Sequence, residues 1–154
     1  TGTFGAINSV ANIAVDNAGY LYVVGSTQGT NDFDPSANTY NLTSAGGADA
    51  FLGRYDINGN LSWAITMGGP SSDGAIGVAA TSSRVVALGT YQGTADFDPS
   101  AGNTANTSVG QGDIFTTMYS TAVFPVEWAY LEASTDKEGV WLNWGTATEQ
   151  QAER

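Results

Sequence analysis

Four aspartates stand in two like pairs. Asp32 and Asp34 flank Phe33 and precede Pro35, while Asp96 and Asp98 flank Phe97 and precede Pro99. Carboxylates two positions apart on an extended segment project to the same side, so each pair can turn hard oxygen ligands toward Ca²⁺. Calcium takes about six to eight oxygens, far more than either motif supplies locally. The same residues also suit a structural role. Carboxylates accepting backbone N–H bonds hold a loop, with proline fixing φ behind them and the phenylalanine buried as a plug. Paired carboxylates also hydrolyse glycosides. A catalytic pair is needed once per site, however, and this pair recurs.

The recurrence extends beyond the motif. Gln28 to Ala37 returns as Gln92 to Ala101, at an offset of 64 residues and with nine of ten positions identical. At the same offset Gly25 falls on Gly89, Asp49-Ala50-Phe51 on Asp113-Ile114-Phe115, and Tyr55 on Tyr119. Upstream, Ile13 to Val24 aligns with Val78 to Leu88, with one residue lost at a turn, where deletion costs least. The chain is therefore read as a tandem repeat first, and as a source of chemistry second.

Little other chemistry is on offer. The 154 residues include no histidine and no cysteine. This excludes a Ser-His-Asp triad, a thiolate nucleophile and an ordinary zinc site, and the expectation is a protein that is not an enzyme. It also leaves cysteine usage silent about compartment. Asp56-Ile57-Asn58-Gly59-Asn60 begins like a calcium-binding EF-hand loop, but Leu61 and Met67 occupy the places of its glycine and terminal glutamate. Gly46-Gly47 and Gly68-Gly69 are followed by no lysine and are not phosphate loops. No cofactor is expected apart from calcium at Asp32, Asp34, Asp96 and Asp98. Among the aromatics, Tyr20, Tyr22, Tyr40, Tyr55 and Trp63 belong to the repeat and are expected to pack between units. Tyr91 replaces Thr27, stands outside the shared core on this reading, and is the candidate ligand-binding residue for a glycan.

Charge narrows the partners. A net charge of −11, with four basic residues in all, supplies no cationic surface for nucleic acid and none for an anionic membrane. No apolar run is long enough to cross a bilayer, so membrane insertion is not expected. The first residues, Thr1 to Ala6, lack the basic head and apolar centre of a signal peptide. The chain is thus expected to be mature or excised from a longer parent, whose other domains are its first partners; self-association is a further one.

The elements that position the aspartates follow from pattern. Ile13 to Val15 and Tyr20 to Val24 are β-branched and aromatic runs about the turn Asp16-Asn17-Ala18-Gly19. Ala50 to Tyr55 and Leu61 to Ile65 form a second pair, across a turn in which Asn58-Gly59 is expected to supply positive φ. Ser26 to Ala48 is an excursion carrying the aspartate motif. Helical periodicity is absent from residues 1–120. Four antiparallel strands in tandem are the unit of a β-propeller blade, so the fold class is all-β, with about two blades and an incomplete ring.

The run Ile13-Ala14-Val15-Asp16 to Gly25, then Asp32-Phe33-Asp34-Pro35, Asn41 to Phe51 and Asn58-Gly59-Asn60-Leu61-Ser62-Trp63-Ala64 resembles the bacterial β-propeller repeat family of secreted and surface proteins, notably of the Bacteroidota. The units lie at about 11–74 and 75–120, within a repeat region of 1–120. The resemblance implies a secreted or cell-surface scaffold with a structural, adhesive or protein-binding role. Two alternatives stay open: a carbohydrate-binding module of a larger secreted enzyme, and a fibre subunit joined by β-edge pairing.

Composition changes after a linker at 121–125. All nine acidic residues before Thr121 are aspartate, and five of the six after it are glutamate. Phe124 to Ala133 and Gly139 to Glu149 read as two strands about a turn at Ser134 to Gly139, with Val140, Leu142 and Trp144 on one face. Residues 126–154 resemble the opening of a fibronectin-III-like, immunoglobulin-type module of the kind that precedes type IX secretion signals.

Overall fold

The computed structural model describes residues 9–100 and 104–121 in full, and 128–136 and 139–146 as backbone strands. The described residues form antiparallel sheets and no helix. In the first repeat, β1 (Ser9–Val15), β2 (Leu21–Thr27), β5 (Asp49–Tyr55) and β6 (Leu61–Met67) form one sheet in the order β1-β2-β5-β6. Between β2 and β5 the excursion folds into a small hairpin of its own, β3 (Thr30–Asp32) and β4 (Asn41–Thr43). These strands escape a reading by pattern because three residues each, all polar but Leu42, show no period; side-chain bonds add to their pairing. Thr30 and Thr43 hydroxyls meet across the hairpin at 2.8 Å, and Gly29 N–H donates to Ser44 Oγ at 2.9 Å.

Both hairpin turns of the first sheet begin on an aspartate. Asp16 Oδ1 accepts N–H bonds from Ala18 (2.8 Å) and Tyr20 (3.0 Å), and Asp56 Oδ1 accepts those of Asn58 (2.8 Å) and Asn60 (2.9 Å). Gly19 and Gly59 donate back to the Asp16 and Asp56 carbonyls. Positive φ is confined to the glycines, 87° at Gly19 and 84° at Gly59. Asn58 does not share it, contrary to expectation, because the aspartate-led turn needs only one left-handed residue, at the position where the bulge closes the loop.

The second repeat has β7 (Gly74–Ala80), β8 (Arg84–Tyr91), the small pair β9 (Thr94–Asp96) and β10 (Ala105–Thr107), and β11 (Asp113–Ser120). Its sheet runs β11-β8-β7, so among the described residues no fourth strand pairs with the outer edge of β11. At the shortened turn Thr81 N–H and the Arg84 carbonyl pair at 2.8 Å, and Thr81 Oγ1 takes the place of the aspartate carboxylate by accepting Arg84 N–H at 3.1 Å.

Each repeat carries a plug. Phe33 is fully buried edge-on against Phe51, with centroids 5.2 Å apart, in a cluster with Ala64, Val23, Leu42 and Leu61. Phe97, also buried, packs tilted against Phe115 at 4.8 Å. The repeats join at the end of β6, where Gly68 and Asp96 exchange backbone bonds of 3.0 and 2.8 Å. Met67, buried at that strand end, lies 3.0 Å from the Tyr119 hydroxyl. A Cβ at Gly25 or Gly89 would overlap the Ser9 or Gly74 carbonyl of the neighbouring strand, which explains glycine at both positions.

The chain divides into two compact units, 1–122 and 123–154. In the second, β12 (Trp128–Asp136) and β13 (Gly139–Thr146) form a hairpin whose register runs from Asp136↔Gly139 to Trp128↔Thr146. Ser134 to Asp136, expected in the turn, belong to β12. Residues 122–125 of the expected linker, and the side chains of Val140, Leu142 and Trp144, lie outside the described residues.

Candidate functional site

The strand that delivers the first aspartate pair stops at Asp32, so the extended segment assumed for both carboxylates is not formed. The chain instead turns around Asp32. Its Oδ1 accepts Asp34 N–H at 3.0 Å and Tyr40 N–H at 2.8 Å, and Asp34 Oδ1 accepts Ser36 N–H at 2.8 Å. The second copy is alike: Asp96 Oδ1 accepts Asp98 N–H (3.0 Å) and Thr104 N–H (2.9 Å), and Asp98 Oδ1 accepts Ser100 N–H (2.9 Å). The hydrogen bonds to Ser100, first from its side chain, hold the Asp98 carboxyl below the usual carboxylate range. Nearby, Tyr55 donates its hydroxyl to the Phe33 carbonyl at 3.1 Å and Tyr119 donates to that of Phe97 at 2.7 Å. Burial, and then the Asp34 and Asp32 charges, push the Tyr55 phenol up to about 12. Each motif is thus a closed loop pinned at its acidic side by N–H donors and at its aromatic side by a tyrosine. Among the described residues no group of three or more Asp, Glu, His or Cys could hold a metal ion.

Tyr91 is core, which corrects its placement outside the shared interior. It is 8% exposed and packs edge-on against Phe97, with centroids 5.2 Å apart. The reason lies in a paired exchange. In the first repeat Asn31 donates to the Thr27 hydroxyl at 2.8 Å, both residues being buried. In the second, Tyr91 stands for Thr27 and the fully buried Ala95 for Asn31. The large residue uses the space the small one yields. Asn31/Ala95 is also the single mismatch between the two ten-residue motifs, a signal present in the sequence.

The other aromatics are committed too. Tyr22 and Trp63 are buried, and Tyr22 relays a chain in which Arg54 Nε donates to its hydroxyl (3.0 Å) and the hydroxyl donates to Asp16 Oδ2 (3.0 Å). Burial works to raise the Asp16 pKa, but the bonds from Tyr20, Tyr22 and Ala18 outweigh it and hold the carboxyl low. The Arg54 guanidinium covers the Tyr20 ring at 3.5 Å. Tyr40 is the more open ring, and its hydroxyl reaches the Ala64 carbonyl at 3.3 Å.

Sequence reasoning misses a pair of buried carboxylates. Asp73 sits at the junction, its Oδ2 accepting Gly69 N–H at 2.8 Å and its Oδ1 accepting Gln92 N–H at 2.9 Å. Asp49 lies across Gly68 from it; a Cβ on Gly68 would meet both carboxyl groups at 2.7 Å. Asp49 Oδ2 accepts Ala45 N–H at 2.9 Å, but its Oδ1 is buried and has no hydrogen-bond partner. Burial, then the Asp73 charge, raises the Asp49 carboxyl to about 6. A signal does exist in the sequence: Asp49 returns as Asp113, which is not a pattern that strand propensity explains.

One cleft opens on the second repeat, about 590 Å³, lined by Ser72, Thr90, Tyr91, Gln92 and residues 111–114. The matching place on the first repeat is filled by the linker between repeats, where Gly47 N–H bonds to the Pro70 carbonyl (3.1 Å) and Asp73 N–H to the Ala48 carbonyl (2.6 Å). The cleft is therefore the linker seat of the second repeat.

Among the described residues, no helix is long and apolar enough to cross a membrane. Comparison with curated proteins and with solved structures gave no match. Residues 4–34 match the family model of a beta-propeller repeat, a stretch that takes in β1, β2 and β3 and ends on Asp34.

Proposed function

We propose that the chain is a non-enzymatic repeat scaffold of a secreted or surface-attached bacterial protein, with a structural, adhesive or protein-binding role. The observation that carries this reading is the identity of the two aspartate loops. The same carboxylate oxygens accept the same backbone donors in both repeats, as expected of a building unit. A catalytic pair is needed once per site, whereas this pair recurs with the same bonds in each repeat. The beta-propeller repeat match over residues 4–34 supports the scaffold, since such units work by stacking and presenting loops. A Bacteroidota source, resting on the resemblance of the repeat pattern, and a fibronectin-III-like module leading to type IX export, resting on that of residues 126–154, belong to the same proposal.

The test is protease treatment of intact producing cells, followed by detection of this segment. Loss of the segment with a cytoplasmic marker retained is expected; a protected segment would overturn the surface assignment. A second reading, glycan binding, is favoured by the polar lining of the cleft, Gln92, Gln111 and Asp113 beside Tyr91. A glycan-array signal that falls on Gln111→Ala would support it, and a blank array leaves the scaffold.

A further inference from the structure

Loop 44–48 of the first repeat and the linker that leaves β6 meet backbone to backbone. Gly47 N–H donates to the Pro70 carbonyl at 3.1 Å, and Asp73 N–H to the Ala48 carbonyl at 2.6 Å. A Cβ on Gly46 would strike Pro70, and one on Gly47 the Ser71 carbonyl, so glycine lets the two segments touch. A contact that rests on backbone bonds between loops opens at lower cost than a packed strand pair.

Two carboxyl groups close this contact from the inside, Asp49 at the end of the loop and Asp73 at the end of the linker. They are 2% and 4% exposed. Asp49 Oδ1 and Asp73 Oδ2 stand 2.8 and 2.7 Å from the point a Cβ of Gly68 would occupy. The two groups are not equivalent. Both Asp73 oxygens accept N–H bonds, from Gly69 and Gln92, whereas Asp49 accepts Ala45 N–H through Oδ2 alone and its Oδ1 has no partner. A buried carboxylate oxygen facing another carboxylate, with neither donor nor cation, is costly. Calcium would take about six to eight oxygens, and two carboxyl groups are what this space offers. A proton needs a single acceptor, and Asp73 Oδ2 keeps a lone pair beyond the one that Gly69 uses.

No other charge competes for that proton. Residues 44–48 and 68–72, β6 and β7 carry no further acidic, basic or tyrosine side chain. On β2 and β5, Tyr22 and Arg54 bond to each other, and Tyr55 bonds to the Phe33 carbonyl. On β8, Tyr91 packs against Phe97, and Arg84 lies at the far end beside Met118. Asp96 on β9 accepts N–H bonds of its own loop, and Asp113 on β11 accepts that of Val109.

We infer that Asp49 and Asp73 hold one proton between them, Asp49 Oδ1 donating to Asp73 Oδ2, and that this proton works a clasp between loop 44–48 and the linker. The loop is seated while the pair carries one charge, and parts from the linker when the proton leaves to solvent and both groups are ionised. The folded value of Asp49, about 6, lies above its ordinary 3.8, so the seated form binds a proton that the parted form releases. The clasp is therefore closed in acid and loosens as pH rises through ~6. Asp73 keeps Gly69 and Gln92 in both states, so the repeats stay joined and the loop is what moves.

Amide hydrogen exchange of the 154-residue chain between pH ~5 and ~7.5, corrected for intrinsic rates, is the test. The Gly47 and Asp73 amides should exchange ahead of those of Gly69 and Gln92, and about tenfold faster at the upper pH than at the lower. Asp49→Asn, neutral throughout, should give the loop amides the same protection at both ends of the range. It should also lack a protonated-carboxyl infrared band that the wild type shows at pH ~5 and loses by pH ~7.5. Loop amides that exchange only together with Gly69 and Gln92, or whose protection ignores pH, would overturn the clasp. So would calcium that restores their protection at pH ~7.5, since the space would then belong to a cation.

Discussion

At the scale of single residues, what separates a braced loop from an ion site is which oxygen is needed. Asp32 Oδ1 receives two backbone N–H bonds, from Asp34 and Tyr40. Asp32→Asn keeps that acceptor and should leave the unfolding midpoint near wild type, whereas Asp32→Ala orphans both donors and should cost about 1–3 kcal/mol in denaturant unfolding. Asp96 should behave alike. A calcium site would lose its metal in both variants, and a wild-type midpoint raised by calcium and lowered by chelator would assign the carboxylates to the ion instead. Asp49 makes a second residue-scale prediction, with the opposite sign from ordinary carboxylates. Its ordinary value is 3.8 and its folded value about 6, so the folded chain holds a proton that the unfolded chain releases. The stability this proton contributes is complete below pH ~4 and is lost as pH rises through ~6. Thermal midpoints should therefore rise as pH falls from about 7.5 to about 5. Asp49→Asn, which is neutral at every pH, should be more stable than wild type at pH ~7.5 and flat across that window. An unchanged slope in the variant would place the dependence elsewhere.

At the scale of elements, the long strands are legible in the sequence and the short ones are not. β2 announces itself by a β-branched and aromatic run after an aspartate-glycine turn, and β5 by a short apolar and aromatic run buried on both faces before the next such turn. β3 and β4 consist of Thr-Asn-Asp and Asn-Leu-Thr, held by hydroxyl contacts that leave no period to read. A comparison of Tyr91 with Thr27 alone misplaces the tyrosine, because the compensating change sits four residues on, at Ala95. A buried Tyr in place of Thr needs volume, and only the pair supplies it. The exchange is measurable as a cycle. Tyr91→Thr should cost about 2–4 kcal/mol through the cavity beside Phe97. Ala95→Asn should also destabilise, by pressing an unpartnered amide against the Tyr91 ring. The double substitution rebuilds the hydrogen-bonded pair of the first repeat and should lose less than the sum, with a coupling of about 0.5–3 kcal/mol. Strict additivity would mean that the two positions do not share space. The aspartate pairs lie in plain view because a repeated four-residue motif is conspicuous, whereas the recurrence of Asp49 as Asp113 acquires meaning only when the fold brings Asp73 across Gly68 from Asp49.

At the scale of the whole molecule, stability in a stacked repeat comes from each unit and from the contacts between neighbours. The neighbour contact here has a polar keystone. Asp73 ties Gly69, at the exit of the first repeat, to Gln92, which opens the aspartate loop of the second. It does so beside the Gly68–Asp96 bridge and within the apolar contact of Met67 with Tyr119. Asp73→Ala removes the acceptor of two N–H groups held in the junction and should cost about 2–4 kcal/mol. Its more specific effect should be on cooperativity. In the wild type the two repeats should unfold in one calorimetric transition. In Asp73→Ala the transition should broaden or split, with a van't Hoff enthalpy below the calorimetric one, because the repeats no longer share their polar link. The same variant takes a like charge away from Asp49, whose titration should then move to lower pH and carry the pH dependence of stability down with it. A lowered midpoint with a single, equally sharp transition would show that the apolar contact around Met67 couples the repeats unaided, and would reduce Asp73 to a local brace like Asp32.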